Sequence, residues 1–477
     1  MRHIRRLSGA AIAGAVLAVA ALAGPASASP VSVAGATHTS GKACGGSGAV
    51  TTATGSLSDG ATYELQCPAG LWNGTLFLFS HGYVVPGAAN PAADASDPVT
   101  AAWLLANGYA LAGSSYATTG WSVQQAIPDQ AATVAVFGAT YHAPRHTVAW
   151  GESLGGMITA GLIQEYPRLF SAALPACGVL SGGVATWNTA LDAAFTFQQL
   201  IAPNVQVTGI TDPDANLTAA ETALAAAQQT PQGRARLALV SAMSDTPGWF
   251  TPGSPEPGAT DYTAQEANQF DWSAEVTFPF VFAFRAELEA RAGGNPSWTT
   301  GVNFAAQLAR STDREEVQAL YAAAGLNLGA DLRTLNAAPR ISASPAAVRY
   351  LAGNIAYTGQ ISVPVLTMHT TGDGLVVPEN EQAYRQAVDR AGDASLLRQV
   401  FVNRAGHCAF TPAEMITAIG VLLSRMTTGH WQVPSPARLN ATAAALGGTA
   451  NPLAPQFTAY QPASYLRPFD LPIRRWW

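Results

Sequence analysis

Apolar residues along the chain follow two rhythms. Residues 49–53 and 62–66 alternate apolar and polar on either side of Ser58-Asp59-Gly60, which predicts an antiparallel hairpin. Thr75-Leu76-Phe77-Leu78-Phe79-Ser80 is apolar on both faces, as a central strand covered on both sides must be. Strand patterns follow at 109–116, 147–150 and 171–177, separated by helical patterns at 97–107 and 122–137 and at 154–166. Strands alternating with helices at this spacing predict an α/β fold with a mostly parallel sheet.

From 178 to 360 the alternation stops. Apolar residues recur at helical spacing over 187–201, 216–243, 262–292, 314–324 and 345–354, with Pro and Gly clusters between them, as at 251–257. This predicts a large, mostly helical insertion lying over the sheet as a lid. Trp187, Trp249, Phe250, Phe270, Trp272, Phe278, Phe280, Phe282 and Phe284 fall in it. Some are candidates for an apolar acyl pocket, while most are expected in the insertion's own core. The sheet resumes at 363–369, with a helix at 379–391, a last strand at 397–402 and a final helix at 412–426. The expected domains are a core of 29–177 and 361–430, the lid of 178–360, and a Pro-rich tail, 431–477, packed on the surface.

Composition narrows the setting. The 477 residues are 48% apolar and 11% charged, with a net charge of −6 and no basic cluster, which argues against a nucleic-acid partner. Arg2, Arg5 and Arg6, then an apolar stretch over 11–23, then Ala26-Ser27-Ala28, read as a signal peptide of 1–28, so a secreted protein is expected. No later stretch is long and apolar enough to span a bilayer. The four cysteines, Cys44, Cys67, Cys177 and Cys408, allow two disulfides in three pairings. Cys44–Cys67 would staple the N-terminal segment and leave Cys177–Cys408. No metal-ligand spacing appears, and neither metal nor cofactor is expected. Lys42 is the only lysine, which disfavours Ser–Lys dyads, Schiff bases and a P-loop.

The candidate chemistry centres on Gly151-Glu152-Ser153-Leu154-Gly155, a G-x-S-x-G step between a strand pattern and a helix pattern. In that context the turn lifts the serine oxygen to the carboxyl end of the strand and aims the Leu154 N–H at a reacting oxygen. Upstream, His81-Gly82-Tyr83 ends the buried strand, where a second backbone donor, that of Tyr83, is expected; His81 then has a supporting role. A serine hydroxyl needs a base, and the base needs an orienting group. Only His369, His407 and His430 follow Ser153. His407 lies in a glycine-bearing loop after the last strand, and Asp373 in the loop after the strand before it. The order Ser153, Asp373, His407 is the one this topology requires.

Taken together, G-E-S-L-G, H-G-Y, the Thr371–Pro378 acid loop and the Gly406-His407 base loop resemble the α/β-hydrolase superfamily of secreted bacterial serine esterases. The resemblance covers about 48–177 and 361–426. It implies an eight-stranded sheet, Ser153 as nucleophile, His407 as general base, Asp373 as its orienting acid, and an oxyanion hole of Leu154 and Tyr83, with Gly82, Gly151 and Gly155 permitting close backbone approach. His407-Cys408 also resembles the H-C step of the tannase and feruloyl esterase family. There a cysteine before the serine pairs with the one after the histidine; here Glu152 occupies that place, and Cys177 would take over as partner of Cys408. The expected reaction is hydrolysis of a small-molecule or polymer carboxylic ester. The stretch from Pro175 to Asn188 resembles bacterial aryl-amide hydrolases, which keeps amide or peptide cleavage as an alternative; a non-catalytic binding protein on the same scaffold is a second.

Overall fold

The strand β3 (Thr75–Ser80) is buried at every position, because its side chains enter two different cores. Leu76 and Leu78 join one apolar cluster and Phe77 and Phe79 another, on opposite faces of one sheet. This alternation over two covered faces is the reason the run carries no polar face. The structure, a computed structural model, describes residues 42–469. The expected signal peptide of 1–28 and the last residues of the tail lie outside that range.

Around β3 stand β1 (Thr51–Ser56), β2 (Thr62–Cys67), β4 (Ala110–Ser114), β5 (His146–Glu152), β6 (Ala172–Ala176), β7 (Val365–Gly372), β8 (Leu397–Ala405) and β9 (Phe457–Thr458). The sheet order is β1-β2-β4-β3-β5-β6-β7-β8-β9. The pairs from β4 through β3, β5, β6 and β7 to β8 are parallel, and the outer pairs β1–β2, β2–β4 and β8–β9 are antiparallel. This is the strand order of the α/β-hydrolase fold. Among the described residues the sheet has nine strands rather than the expected eight. The extra one is the two-residue β9, which the tail adds by pairing with Phe401 and Val402 of β8. A strand this short leaves no readable alternation in a Pro-rich sequence.

Helices cover both faces: α1 (Pro98–Ala106), α2 (Val123–Thr140) and α3 (Leu154–Glu165) from the first half of the core. The insertion holds α4 (Gly183–Leu200), α5 (Pro213–Ala227), α6 (Pro231–Ala242), α7 (Tyr262–Trp272), α8 (Arg285–Ala292), α9 (Phe304–Leu308), α10 (Arg314–Ala323), α11 (Leu328–Ala337) and α12 (Pro345–Asn354). Pro231 at the first turn of α6 divides the stretch read as 216–243 into two helices. Between α7 and α8 the chain runs through two π-helical segments, Ser273–Thr277 and Phe280–Phe284. The insertion has its own cores, one around Phe197, Phe278 and Phe282, another around Phe195, Phe304 and Tyr321. After it come α13 (Glu379–Ala391), α14 (Pro412–Thr428) and α15 (Pro436–Ala444).

The tail does more than lie on the surface. Tyr465, Leu466 and Arg467 are buried. Arg467 donates to the Trp298 carbonyl at 2.8 Å and approaches the fully buried Asp192 at 3.6 Å, so the tail is tied into the insertion.

Candidate active site

The turn after β5 carries Ser153, the candidate nucleophile. Ser153 has φ +60° and ψ −124°, and α3 begins at the next residue. A non-glycine residue held there stores about 1–3 kcal/mol of backbone strain, which the packing around it must sustain. The glycines explain how. A Cβ at Gly151 would lie 2.5 Å from the Ser80 carbonyl oxygen, and one at Gly155 only 1.9 Å from it. The strand β3 therefore presses against both sides of the turn, and only glycine fits. The Leu154 N–H is the first of α3 and has no acceptor four residues back within the helix.

The candidate base, His407, comes from the other half of the sheet, after β8. His407 Nε2 is 2.7 Å from Ser153 Oγ, and His407 Nδ1 is 2.7 Å from Asp373 Oδ2. Asp373 is fully buried in the loop after β7. Its Oδ1 accepts from the Leu375 and Val376 amides at 3.0 and 2.9 Å, an Asx-type turn that locks the carboxylate. Burial alone would push this carboxyl up, but the His407 charge and hydrogen bonds from His369 and His407 hold it at about 2. It stays ionised and fixes the His407 tautomer with the proton on Nδ1.

The base loop is braced from three directions. Cys408 forms a disulfide with Cys177, the residue after β6; Cys44 pairs with Cys67. Thr370 donates to the Gly406 carbonyl at 2.7 Å. The buried Arg404 donates to the Ala409 carbonyl and to both oxygens of Glu414, at 2.6 and 3.0 Å. Glu414 also completes a capping box with Thr411 at the start of α14. The capping box is visible as T-x-x-E in sequence; its ion pair with Arg404 is not, because the partner is set by the strand's facing.

His81, Gly82 and Tyr83 line a cavity with Ser153, and a Cβ on Gly82 would stand 3.4 Å from Ser153 Cβ. His81 is no base for Ser153. Its ring stacks on Tyr116 at 4.0 Å and its nitrogens face the Gly82 and Ser115 carbonyls, while burial lowers its pKa. His369 is fully buried beside Asp373, its Nε2 3.5 Å from the same Oδ2 that faces His407.

Two cavities meet at Ser153. One, of about 130 Å³, is lined by Tyr83, Leu154, Trp187, Phe278 and Phe280 and by Tyr465 from the tail. Among the described residues no charged side chain lines it. Trp249, Phe250, Phe270, Trp272 and Phe284 do not reach this cavity. The other cavity, about 450 Å³ and more open, lies on the side of His407 and Cys408 and is also lined by Ser96 and Glu152. Burial, with Asp97 adding to it, pushes the Glu152 carboxyl up to about 7. Trp121, Asn380 and Tyr465 also line the first cavity; Trp121 precedes α2, Asn380 lies in the first turn of α13 and Tyr465 in the tail, and no motif marks any of the three.

No family model matches the chain. An o-phthalyl amidase from Xanthobacter agilis is 29% identical over 430 residues, which cover 83% of this chain and 92% of that protein. Among solved structures, an esterase from Aspergillus oryzae aligns with a TM-score of 0.41 at 13% identity over 78% of each chain. Feruloyl esterase B from Aspergillus oryzae aligns with a TM-score of 0.37 at 13% identity over 80% of each. The strand order and the helices on both faces of the sheet are those of the α/β-hydrolase fold.

Proposed function

We propose that the protein is a secreted carboxylic-ester hydrolase that works through an acyl-enzyme on Ser153. The observation that carries this reading is the unbroken line of hydrogen bonds from Asp373 through His407 to Ser153 Oγ. His407 Nε2 takes the Oγ proton as the oxygen attacks the carbonyl carbon. The Leu154 and Tyr83 amides receive the oxyanion. His407 then gives its proton to the leaving oxygen, and in the second half it takes one from water, which releases the acid. Asp373 remains anionic throughout and stabilises the imidazolium. The oxyanion donors matter as much as the base: losing one typically costs about a hundred- to a thousandfold in rate.

Because His407 must protonate the leaving group, that group belongs in the cavity His407 lines, and the acyl group in the one beside Leu154 and Tyr83. A cavity of about 150 Å³ holds a benzene ring, so the acyl cavity of about 130 Å³ suits a single aromatic ring or a short branched chain without formal charge. Secretion is supported by the leader-like N-terminus and by two disulfides, which persist in oxidising compartments. Among the described residues no helix is long and apolar enough to cross a membrane.

One observation favours a second reading, aryl-amide hydrolysis with the same residues: the relative from Xanthobacter agilis is named an o-phthalyl amidase. Paired substrates that share one aromatic acid, as phenyl ester and as anilide, test both readings. Ester turnover exceeding anilide turnover supports the first; the reverse supports the second; turnover of neither by folded enzyme removes both.

A further inference from the structure

The acid of the site touches a second histidine. His369 sits in β7 with its side chain fully buried. Its Nδ1 is 3.1 Å from Glu381 Oε1, and its Nε2 is 2.7 Å from the Val376 carbonyl and 3.5 Å from Asp373 Oδ2. Every atom facing either ring nitrogen is an acceptor. A neutral imidazole donates from one nitrogen only and would turn a lone pair towards an oxygen at the other. Unpaired in a dry interior, that contact is costly. Glu381, in the first turn of α13, is equally buried, and its Oε2 accepts from Thr367 and Gln399, as a carboxylate does.

We infer that His369 is a positioning residue, a buried imidazolium clamped between Glu381 and Asp373 that orients the acid and sets the charge that His407 faces. The inference rests on the reading of Asp373 and His407 as the acid and base of Ser153. It extends the line of contacts to Ser153, His407, Asp373, His369 and Glu381. Burial alone would strip the His369 proton, but the hydrogen bonds to Asp373 and Glu381 and their charges overcome it, and its pKa rises to about 10. The groups that face the ring are Asp373 on the acid loop and Glu381 on α13, with Glu379 also within electrostatic reach and His407 on the same Asp373 oxygen. The His369 charge offsets that of Glu381. Without it His407 would face two carboxylates, hold its proton more firmly, and serve as a base only at higher pH.

The test is the pH dependence of Ser153 labelling by a fluorophosphonate, which needs no knowledge of the substrate. In His369→Gln the acid limb of the labelling rate moves up by about one pH unit, the usual effect of one nearby charge. A slower rate with the limb unmoved would mean a purely structural role and would overturn the inference. Ring ¹⁵N spectra of histidine-labelled wild type decide the same point if the variant does not fold. A buried ring protonated on both nitrogens and unchanged from about pH 6 to 9 is expected from the contacts; a His369 ring protonated on one nitrogen at neutral pH would contradict it. If folded wild type does not label at all, the reading of Ser153 fails, and the spectra still report the charge of His369.

Discussion

His407 Nε2 stands 2.7 Å from Ser153 Oγ across 254 residues of sequence. The contact joins a turn after β5 to a loop after β8, strands separated in the sheet by β6 and β7. The parallel sheet makes it: every strand from β4 to β8 ends on the same side, so loops far apart in sequence converge there. Asp373→Asn should leave the fold intact and lower kcat by about ten-thousandfold, because the amide favours the wrong His407 tautomer. Steady-state kinetics beside a thermal melt checks this.

The elbow glycines should be intolerant of a methyl group. Gly155→Ala places a Cβ within 1.9 Å of the Ser80 carbonyl oxygen, and backbone cannot step aside as a side chain can. Overpacking of this kind costs about 1–3 kcal/mol, and more where the obstacle is main chain. Denaturant unfolding should show that loss, with a drop in activity from the displaced Ser153.

The Cys177–Cys408 disulfide closes 231 residues of chain and holds the base loop against β6. Chain-entropy models give loops of this length about 5.5 kcal/mol of stabilisation. Cys177→Ser with Cys408→Ser should therefore unfold at lower denaturant and lose kcat more than KM. The corresponding double variant at Cys44 and Cys67 removes a 23-residue staple remote from Ser153 and should leave kcat near wild type.

Tyr465 closes part of the cavity of about 130 Å³ from the tail, where the acyl group is proposed to bind. Tyr465→Ala should widen the cavity and shift preference towards bulkier acyl groups, read as the ratio of kcat/KM for a two-ring over a one-ring acyl ester. Tyr465 also marks where the sequence was hard to read. The two-faced β3, the G-x-S-x-G turn between strand and helix, and the strand-end positions of Asp373 and His407 are local patterns, and they sufficed to place the elbow and the loops that meet it. Tyr465, β9 and the Arg404–Glu414 pair depend on where a Pro-rich segment lands in three dimensions, and no periodicity encodes that. His369 was visible as a strand-end histidine, but its place beside Asp373 follows from the alternation of β7 together with the position of α13.

Stability should peak on the mildly acidic side. Burial is the leading cause that raises Glu316 to about 8 and Glu266 and Asp192 to about 7, and it raises Glu379 as well. These folded-state groups bind protons more tightly than the unfolded chain does, near pH 4. Their contribution is thus full below about pH 4 and is lost as pH rises through 7 to 8. His369, at about 10, adds a further loss at higher pH. Asp373, held at about 2, has the opposite sign: its contribution is present above about pH 4 and is lost as pH falls through 2. Melting temperatures from about pH 3 to 9 should therefore be highest near pH 4. A maximum above pH 8 would contradict these assignments.

The central claim is that Ser153 is an activated nucleophile. The most direct test is reaction of the purified mature protein with a fluorophosphonate, followed by mass spectrometry of the labelled peptide. One adduct on Ser153, absent from Ser153→Ala and strongly slowed in His407→Gln, is the result expected here. Folded wild type that forms no adduct, or forms one on another residue, would contradict it.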